Sequence, residues 1–282
     1  MKSFVMPSSF QGFITALRID LAANRTPLQT PLSSIANGVI LPAEISTSLS
    51  THEFFTRVHS LSPRIAAFDC DGTLWSGDAG SGFMRWTMDT GLISAKQVEW
   101  LETRYDGYNR GEVSEAAICG EMVQVYRGLS VDRMRHAARE FFREHVESHI
   151  FPEMLTLVRE LQQNNVAIWA VSSTCDWVIE EGVRRFNIPP DRVLATRVSS
   201  DNGIVSDRVL DVPTGVAKVA ALHRAGIAAP DAVFGNSIHD AAMLALARRA
   251  FPVNPSPALL ERSIAEDWPV YYPASVAPLH NL

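Results

Sequence analysis

The pattern of apolar and polar positions along this chain changes twice and divides it into three parts. Residues 1–62 are rich in Ser, Thr and Pro with only short apolar periodicities, which predicts an N-terminal extension that lies over the main domain or is partly disordered. Residues 79–149 show helical periodicity without a convincing strand, which predicts an inserted bundle of helices. Residues 63–78 and 150–282 alternate short apolar strands with helices, which predicts an α/β core with a doubly wound parallel sheet.

Two features of the predicted core depart from simple alternation. The turn at residues 201–203 (DNG) lies between two short strands and predicts a local hairpin. Near the end of the chain, the apolar run at residues 268–272 (WPVYY) predicts a last strand. We therefore expect one hairpin outside the crossover pattern and a final strand after the last helix.

Polar residues follow three of the predicted strands at the point where each strand ends. In a parallel sheet of this kind, ligands bind beyond the carboxyl ends of the strands. Lys218 lies in a predicted helix whose first turn begins near the same edge. The candidate residues after RIAAF, VAIWAV and AVFG are Asp69, Asp71, Ser172, Ser173, Asn236 and Asp240.

Composition narrows the possible partners. The chain has 282 residues, of which 46% are hydrophobic and 20% charged, and these values are typical of a globular protein with a sizeable core. The formal net charge of -6 leaves no broad basic face for a polyphosphate backbone. The sequence therefore favours small substrates and argues against nucleic acid as a partner.

Cysteine usage and the N-terminal residues bear on location. The three cysteines have neither CxxC spacing nor an even count, so the sequence predicts neither a disulfide framework nor a zinc site and is typical of a reducing compartment. The N-terminal residues lack a clear apolar signal region, and no stretch is apolar and long enough to span a bilayer. We expect a cytoplasmic protein with no membrane partner, and the sequence does not define its oligomeric state.

Two carboxylates two residues apart, directly after a strand, suit phosphoryl transfer if each has its own task. Asp69 would attack phosphorus in line, and Asp71 would protonate the leaving oxygen and then activate water. Mg²⁺ held by oxygen ligands, together with Lys218, would neutralise the oxyanions, while the Ser172 hydroxyl and loop N–H groups hold the phosphate. Lys218 is one of only three lysines among 25 basic residues, which favours a site that needs a compact ammonium group.

Four motifs in order carry a family resemblance. DCDGT at 69–73, the serine that closes VAIWAV, the lysine in a later helix and GNSIHD at 235–240 resemble the motifs of haloacid-dehalogenase-like hydrolases. The resemblance extends from Arg64 to roughly Tyr272. The helical insertion and the ending VNPSPALLERSIAEDWPV are similar to the phosphoserine-phosphatase-like branch. The resemblance implies a Rossmann-like core, a mobile four-helix cap, Mg²⁺, an aspartyl-phosphate intermediate and a small phosphomonoester substrate.

The resemblance also implies roles for individual residues. Asp69 would be the nucleophile and a metal ligand, and Asp71 the acid/base and a backbone-carbonyl ligand. The phosphate would be held by Ser172, Ser173, Lys218 and the backbone N–H of Cys70. The first acidic position of the fourth motif is Asn236 here, so one ligand would be a neutral amide oxygen. Asp240 would then supply the remaining negative charge directly or through water, and we expect weaker metal affinity with activity retained.

One departure from the phosphoserine phosphatases concerns the substrate carboxylate. In those enzymes the cap supplies an arginine to this group, and an alignment through Gly111 places Met122 at that position. The carboxylate clamp is therefore missing, unless Arg110 or Arg127 reaches the pocket from a differently packed helix.

A second departure concerns charge in the cap. The acid that meets the substrate amine falls at Asp78, and Glu115 and Glu121 add negative charge nearby. An acidic cap without an arginine favours an amine or alcohol phosphate over an amino-acid phosphate.

Other interpretations remain open on the sequence alone. Phosphoserine phosphatase proper, a phosphomutase and a dehalogenase share the fold, but a dehalogenase has no leaving alkoxide for Asp71 to protonate. A catalytically weak binding or regulatory protein is the alternative from another class, because Asn236 weakens the metal site. His239 is either an exposed loop residue or a phosphate-orienting group, and Trp75 either packs in the core or lines the cap entrance.

Overall fold

The computed structural model describes residues 48–276, and within them six strands form one sheet. The strands are β1 (Ile65–Phe68), β2 (Ala167–Cys175), β3 (Val193–Asp201), β4 (Ile204–Asp211), β5 (Ala232–Gly235) and β6 (Arg249–Pro252). Their order across the sheet is β4-β3-β2-β1-β5-β6. All neighbours pair in parallel except β3 and β4, which form the antiparallel hairpin predicted from the DNG turn.

The central strands β1 and β5 are buried on both faces of the sheet, as their continuous apolar sequences predict, whereas the edge strand β4 is largely exposed. Side chains of a strand alternate between the faces. Phe68 faces the larger core, where its ring stacks on Phe234 with 4.2 Å between ring centroids. Ala67 and Val233, one position before each, face the second core on the other side. This double cover confirms the predicted α/β class with a mostly parallel, doubly wound sheet.

Helices occupy the insertion and both sides of the sheet. The insertion contains α2 (Ala79–Asp89), α3 (Ala95–Asn109), α4 (Glu115–Gln124) and α5 (Val131–His145). Each begins at a polar N-cap whose side chain accepts a hydrogen bond from a backbone N–H of the first turn. The later helices are α6 (Pro152–Gln163), α7 (Asp176–Val183), α8 (Val216–Arg224), α9 (Ala241–Leu246) and α10 (Pro257–Ala265). None of the helices within residues 48–276 is apolar over a length that would cross a membrane.

The insertion is joined to the β3–β4 hairpin by backbone hydrogen bonds. Gly128 N–H donates to Val205 O at 2.9 Å, and Val205 N–H donates to Leu129 O at 2.9 Å. Val131 N–H donates to Gly203 O at 2.8 Å. The segment between α4 and α5 therefore pairs with the hairpin tip, which the sequence did not predict.

One predicted boundary differs from the structure. The sequence placed residues 1–62 in an extension, but residues 51–60 form a helix, α1 (Thr51–Ser60), that packs into the core. Phe54 and Val58 are fully buried, and the Phe54 ring stacks on Tyr271 with 4.1 Å between centroids. Only two residues of α1 are buried, so the apolar periodicity of this segment was too weak to predict the helix. Residues 1–47 lie outside the described residues.

The strand predicted at residues 268–272 is wrong. Within this run the structure contains only isolated bridges, which pair Tyr271 with Leu49 and with Val253. Pro269 and Pro273 flank Tyr271 and lack the N–H that a continuous ladder needs. Tyr271 stacks on Phe54 of α1 and donates its N–H to Pro252 O of β6 at 3.0 Å, and Trp268 packs against the second core.

We predict that truncation of Phe54 destabilises the core. Phe54→Ala removes a fully buried ring that contacts Tyr271, Phe234 and Phe251, and should lower the free energy of unfolding by about 3–5 kcal/mol. Chemical denaturation of the full chain measures this difference. Phe55→Ala, a partly buried neighbour, is the matched control and should cost clearly less. Equal effects of the two variants would contradict the assignment of α1 to the core.

Candidate active site

The polar residues predicted at the strand ends lie at one edge of the sheet. Asp69 follows β1, and its N–H donates to Phe234 O of β5 at 2.9 Å, so the ladder continues into the loop. Gly72 then turns the chain with a φ of +72°, a conformation that glycine adopts without strain. Asn236 follows β5 directly. The edge therefore brings the first and fourth motifs together.

Lys218 lies at the centre of this edge. Its Nζ donates to Asp69 Oδ1 at 2.8 Å, to Asp240 Oδ1 at 2.5 Å and to Val171 O at 3.1 Å. Lys218 and both carboxylates are buried. The sequence predicted a lysine between a carboxylate and the phosphate, and the structure adds a second carboxylate on the other side of the ammonium group.

Burial and an oppositely charged partner shift the pKa values of Asp69 and Lys218 in opposite directions. Burial and the nearby Asp240 carboxylate raise the pKa of Asp69 to about 7, although Lys218 opposes the shift. Burial by itself would lower the pKa of Lys218, but Asp240 and Asp69 raise it well above its usual value. Lys218 therefore stays charged at any physiological pH.

Asp71 is held by three donors on different elements. Its Oδ1 accepts hydrogen bonds from Trp75 Nε1 at 2.7 Å and from Ala79 N–H at 2.8 Å, and its Oδ2 accepts one from Thr174 Oγ1 at 2.8 Å. Burial and the charge of Asp78 raise the pKa of Asp71 to about 6, while the three hydrogen bonds oppose the shift. A carboxyl group with this pKa exchanges protons readily near neutral pH.

Sequence reasoning missed two of these donors. Thr174 lies at the end of β2, two residues after Ser172, and only the fold brings it to Asp71. Trp75 is fully buried with its ring edge-on to Phe142, so core packing was the correct alternative, but its indole N–H also positions the carboxylate of Asp71. A tryptophan four residues after Asp71 was the available signal.

The other predicted phosphate ligands surround the two aspartates. Thr73 Oγ1 donates to Asp69 Oδ2 at 3.0 Å, and Ser172 Oγ accepts from Thr174 N–H at 3.1 Å. Ser173 lies on the wall of the pocket described below. Burial and Asp69 raise the pKa of the Cys70 thiol well above its usual value, so the thiol stays protonated.

Both carboxylate oxygens of Asp240 accept hydrogen bonds from protein donors. Lys218 takes Oδ1, and Oδ2 accepts from Asn236 N–H at 3.0 Å, from Ser237 N–H at 2.9 Å and from Ser237 Oγ at 3.2 Å. Asp240 therefore shapes the loop that carries Asn236. Of its two predicted roles at the metal, this arrangement favours the indirect one.

The Asn236 side chain lies directly against the first motif. A Cβ atom added at Gly72 would come within 1.8 Å of Asn236 Nδ2, so only glycine leaves room for the amide. Within residues 48–276, no cluster of three His, Cys, Asp or Glu side chains has the geometry of a metal site. The ligand set implied by the resemblance, namely the Asp69 carboxylate, the Asp71 carbonyl and the Asn236 amide, stays a prediction, and hard oxygen donors of this kind suit Mg²⁺.

A cavity of about 100 Å³ separates the insertion from the core beside Asp71. Asp78, Glu115 and Met122, the three predicted specificity residues, all line it. Tyr105 and Tyr108 of α3 form part of its wall. No Lys, Arg or His of the described chain is among the residues that line this cavity.

Neither arginine that the sequence left open reaches the cavity. Arg110 pairs with Glu112 at 2.8 Å, and Arg127 pairs with Asp207 at 2.7 Å. Glu121 likewise does not contribute free charge to the cavity, because Arg104 binds both of its oxygens.

Glu115 connects the insertion to two loops of the core. Its Oε1 accepts from Thr214 Oγ1 at 2.7 Å, and its Oε2 forms an ion pair with His239 Nε2 at 2.5 Å. Burial alone would raise the pKa of Glu115, but the contacts with His239 and Thr214 lower it below its usual value. The same contact with Glu115 raises the pKa of His239. His239 therefore binds Glu115, a residue of the cavity wall, which is a contact the sequence did not predict.

Comparisons with known proteins agree with this geometry. The chain is 22% identical over 217 residues to a histidinol-phosphatase of Neisseria meningitidis serogroup C, covering 73% of this chain and 97% of that protein. A Bordetella pertussis Tohama I protein of unknown function has a similar structure, with a TM-score of 0.66 and 22% identity over 74% of this chain and 97% of that one. A phospho-aspartyl intermediate analogue of phosphoserine phosphatase has a TM-score of 0.52 and 16% identity over 74% of this chain and 92% of that one.

A family model also matches the sequence of this chain. The model for haloacid dehalogenase-like hydrolases matches residues 66–245, which span the motifs from Asp69 to Asp240 and more than half of the chain. The resemblance inferred from those motifs is thus confirmed, and with it the prediction that the chain is a hydrolytic enzyme. The protein belongs to the haloacid dehalogenase-like hydrolase family.

Proposed function

We propose that this protein is a Mg²⁺-dependent phosphatase that hydrolyses a small phosphomonoester through an aspartyl-phosphate on Asp69. The observation that carries the proposal is the buried trio of Asp69, Lys218 and Asp240, with Asp71 two residues from Asp69. The named activities of the histidinol-phosphatase relative and of the phosphoserine phosphatase structures support the same chemistry.

The first step uses the carboxylate of Asp69. An oxygen of Asp69 attacks phosphorus, the bond from phosphorus to the leaving oxygen breaks, and Asp71 donates its proton to that oxygen. Thr73 and Lys218 each donate a hydrogen bond to one oxygen of Asp69 and so fix the orientation of its carboxylate before the substrate binds. The leaving alcohol then departs with the proton from Asp71.

The second step returns the enzyme to its starting state. Asp71, now ionised, takes a proton from water, and the resulting hydroxide attacks phosphorus and releases inorganic phosphate from Asp69. The pKa of about 6 suits Asp71 to both directions of proton transfer. Trp75, Ala79 and Thr174 keep its carboxyl group in place between the two steps.

Phosphate binding falls to residues around the same edge. Lys218 supplies positive charge, Ser172 offers a buried hydroxyl, and Ser173 and the Cys70 N–H are further donors. Donors fixed before the substrate arrives need no reorganisation when charge develops on the phosphoryl oxygens.

Mg²⁺ would be held by the Asp69 carboxylate, the Asp71 carbonyl and the Asn236 amide. The ion, when bound, shields the phosphoryl charge from the two aspartates. Asp240 supports this set through the loop it organises. With Asn236 in place of an acid, the site carries one negative charge fewer, so we expect modest affinity for Mg²⁺.

The cavity beside Asp71 would receive the leaving group. Asp78 makes it acidic, whereas the charge of Glu115 is paired with His239, and its lining lacks a basic residue that could bind a substrate carboxylate. Tyr105 and Tyr108 add aromatic surface to its wall, and the guanidinium of Arg85 already lies over the Tyr105 ring at 5.9 Å from the ring centroid. An amine or alcohol phosphate therefore fits better than phosphoserine, whose carboxylate would face the thioether of Met122.

One observation favours a second candidate from another class. The amide at Asn236 removes charge from the metal site, which would suit a weakly active protein that binds a phosphorylated ligand and regulates. Retention of both Asp69 and Asp71 at the sheet edge favours the enzyme.

The mechanism predicts loss of turnover when Asp69 is neutralised. Asp69→Asn removes the nucleophile and should lower kcat for p-nitrophenyl phosphate by at least about a thousandfold. EDTA should abolish wild-type turnover, and added Mg²⁺ should restore it. Asp89→Asn, the same change at an exposed position, is the control and should leave kcat unchanged. If wild type and Asp69→Asn are equally inactive on a broad panel of phosphomonoesters, the binding protein becomes the better interpretation.

The metal set predicts tighter Mg²⁺ binding when the missing charge is restored. Asn236→Asp should lower the dissociation constant for Mg²⁺ by about tenfold, because a carboxylate replaces a neutral amide oxygen. Calorimetric titration measures this without relying on turnover. Asn187→Asp adds the same charge at an exposed position and should leave the constant unchanged. An unaltered constant in Asn236→Asp would remove this residue from the metal site.

The acidic cavity predicts a preference for substrates with an ammonium group. In wild type, kcat/KM should be higher for phosphoethanolamine or phosphocholine than for phosphoserine or sugar phosphates. Asp78→Asn keeps the N-cap of α2 and should lower this preference by about tenfold relative to p-nitrophenyl phosphate. Asp106→Asn, exposed on α3, is the control. A wild-type preference for phosphoserine would instead identify a phosphoserine phosphatase.

A further inference from the structure

Glu115 has a position that its predicted role does not explain. The sequence made it a specificity candidate that adds negative charge near Asp78. In the structure, its two oxygens face Thr214 Oγ1 and His239 Nε2 on separate loops of the core. Its side chain is only 14% exposed, so little of it remains open to a ligand.

Each partner of Glu115 lies close in sequence to an active-site group. The carbonyl of Thr214 accepts the N–H of Ala217 at 2.9 Å, which couples the Thr214 turn to the start of α8 one residue before Lys218. His239 lies in the 3-10 turn Ile238–Asp240 and directly precedes Asp240. One carboxylate therefore contacts both segments that lead into the buried trio.

Helix α4 holds Glu115 in place from the other side. Its middle packs on β4, where a Cβ added at Gly120 would lie 3.6 Å from Val209 Cγ2. At its C-terminal end, Gln124 Nε2 donates to Asp207 O at 2.6 Å. Glu115 occupies the first turn, where the helix dipole favours a negative charge. The helix thus lies along the hairpin and presents Glu115 to the catalytic loops.

We propose that Glu115 is a positioning residue that fixes two loops against the wall of the cavity, namely the loop that leads into α8 and Lys218 and the loop that carries Asp240. The loops then keep the geometry of the phosphate site while the leaving group occupies the cavity. The role in turnover rests on the proposed phosphatase function, but the connection between the three segments does not.

The connection predicts that the two loops loosen together. In Glu115→Ala, amide hydrogen exchange measured by mass spectrometry should become about tenfold faster in both residues 212–217 and residues 236–240. Thr214→Val, which removes only the hydroxyl donor, should reproduce the change at 212–217. Glu112→Ala, which removes an exposed glutamate just before α4, is the matched control and should leave both loops unchanged. Unchanged exchange in both loops of Glu115→Ala would overturn the proposal.

Kinetics separate positioning from direct contact with substrate. A positioning role predicts that Glu115→Ala lowers kcat/KM by about tenfold for phosphoethanolamine and for p-nitrophenyl phosphate alike. In the double variant, the fold loss of kcat/KM should also be smaller than the product of the losses in Glu115→Ala and Thr214→Val, because both substitutions break the same contact. A loss confined to phosphoethanolamine would make Glu115 a substrate ligand and overturn the proposal. If wild type itself lacks turnover, the phosphatase function fails, and hydrogen exchange alone decides the role of Glu115.

Discussion

The active edge of this protein depends on one buried ammonium group between two buried carboxylates. Removing two acids from water beside each other would be prohibitively unfavourable without a cation, and Lys218 supplies it from a helix on the other side of the edge. The interaction joins the loop after β1 to the loop after β5 through α8. It also keeps the Asp69 carboxylate at the sheet edge, where burial removes most of the water that would compete with a ligand for this group.

A second set of contacts extends this arrangement into the insertion. Asp71 is held by Trp75 and Ala79 at the entry to the insertion and by Thr174 of the core. Glu115 contacts the loops on the opposite side of the cavity. The insertion therefore does not merely cover the site, because its residues help to define the conformation of the catalytic loops. Backbone hydrogen bonds between the insertion and the β3–β4 hairpin hold the insertion in the position from which it makes these contacts.

Charge around the site is distributed unevenly, and this has consequences for what it binds. The sheet edge proposed to bind phosphate has Lys218, whereas the cavity proposed for the leaving group has Asp78 and no basic side chain among its lining residues in the described chain. Arg110, Arg127 and Arg104 are each paired with an acidic side chain, namely Glu112, Asp207 and Glu121. This distribution of charge supports the proposed substrate, which has an anionic phosphate and a cationic or neutral tail.

The sequence alone determined the α/β class, the helical insertion, the hairpin and the family, since strand periodicity and short ordered motifs are local properties of the chain. It also identified Asp69, Asp71, Lys218 and Asp240 as residues of one edge, because parallel strands end on the same side. Only the tertiary structure decided the partners of those residues. The contacts of Thr174 with Asp71 and of Glu115 with His239 join positions more than 100 residues apart, and α1 was recognisable only once its short apolar face met Tyr271. Such contacts depend on how the helices and strands pack together, and the apolar periodicity of the sequence does not specify that packing.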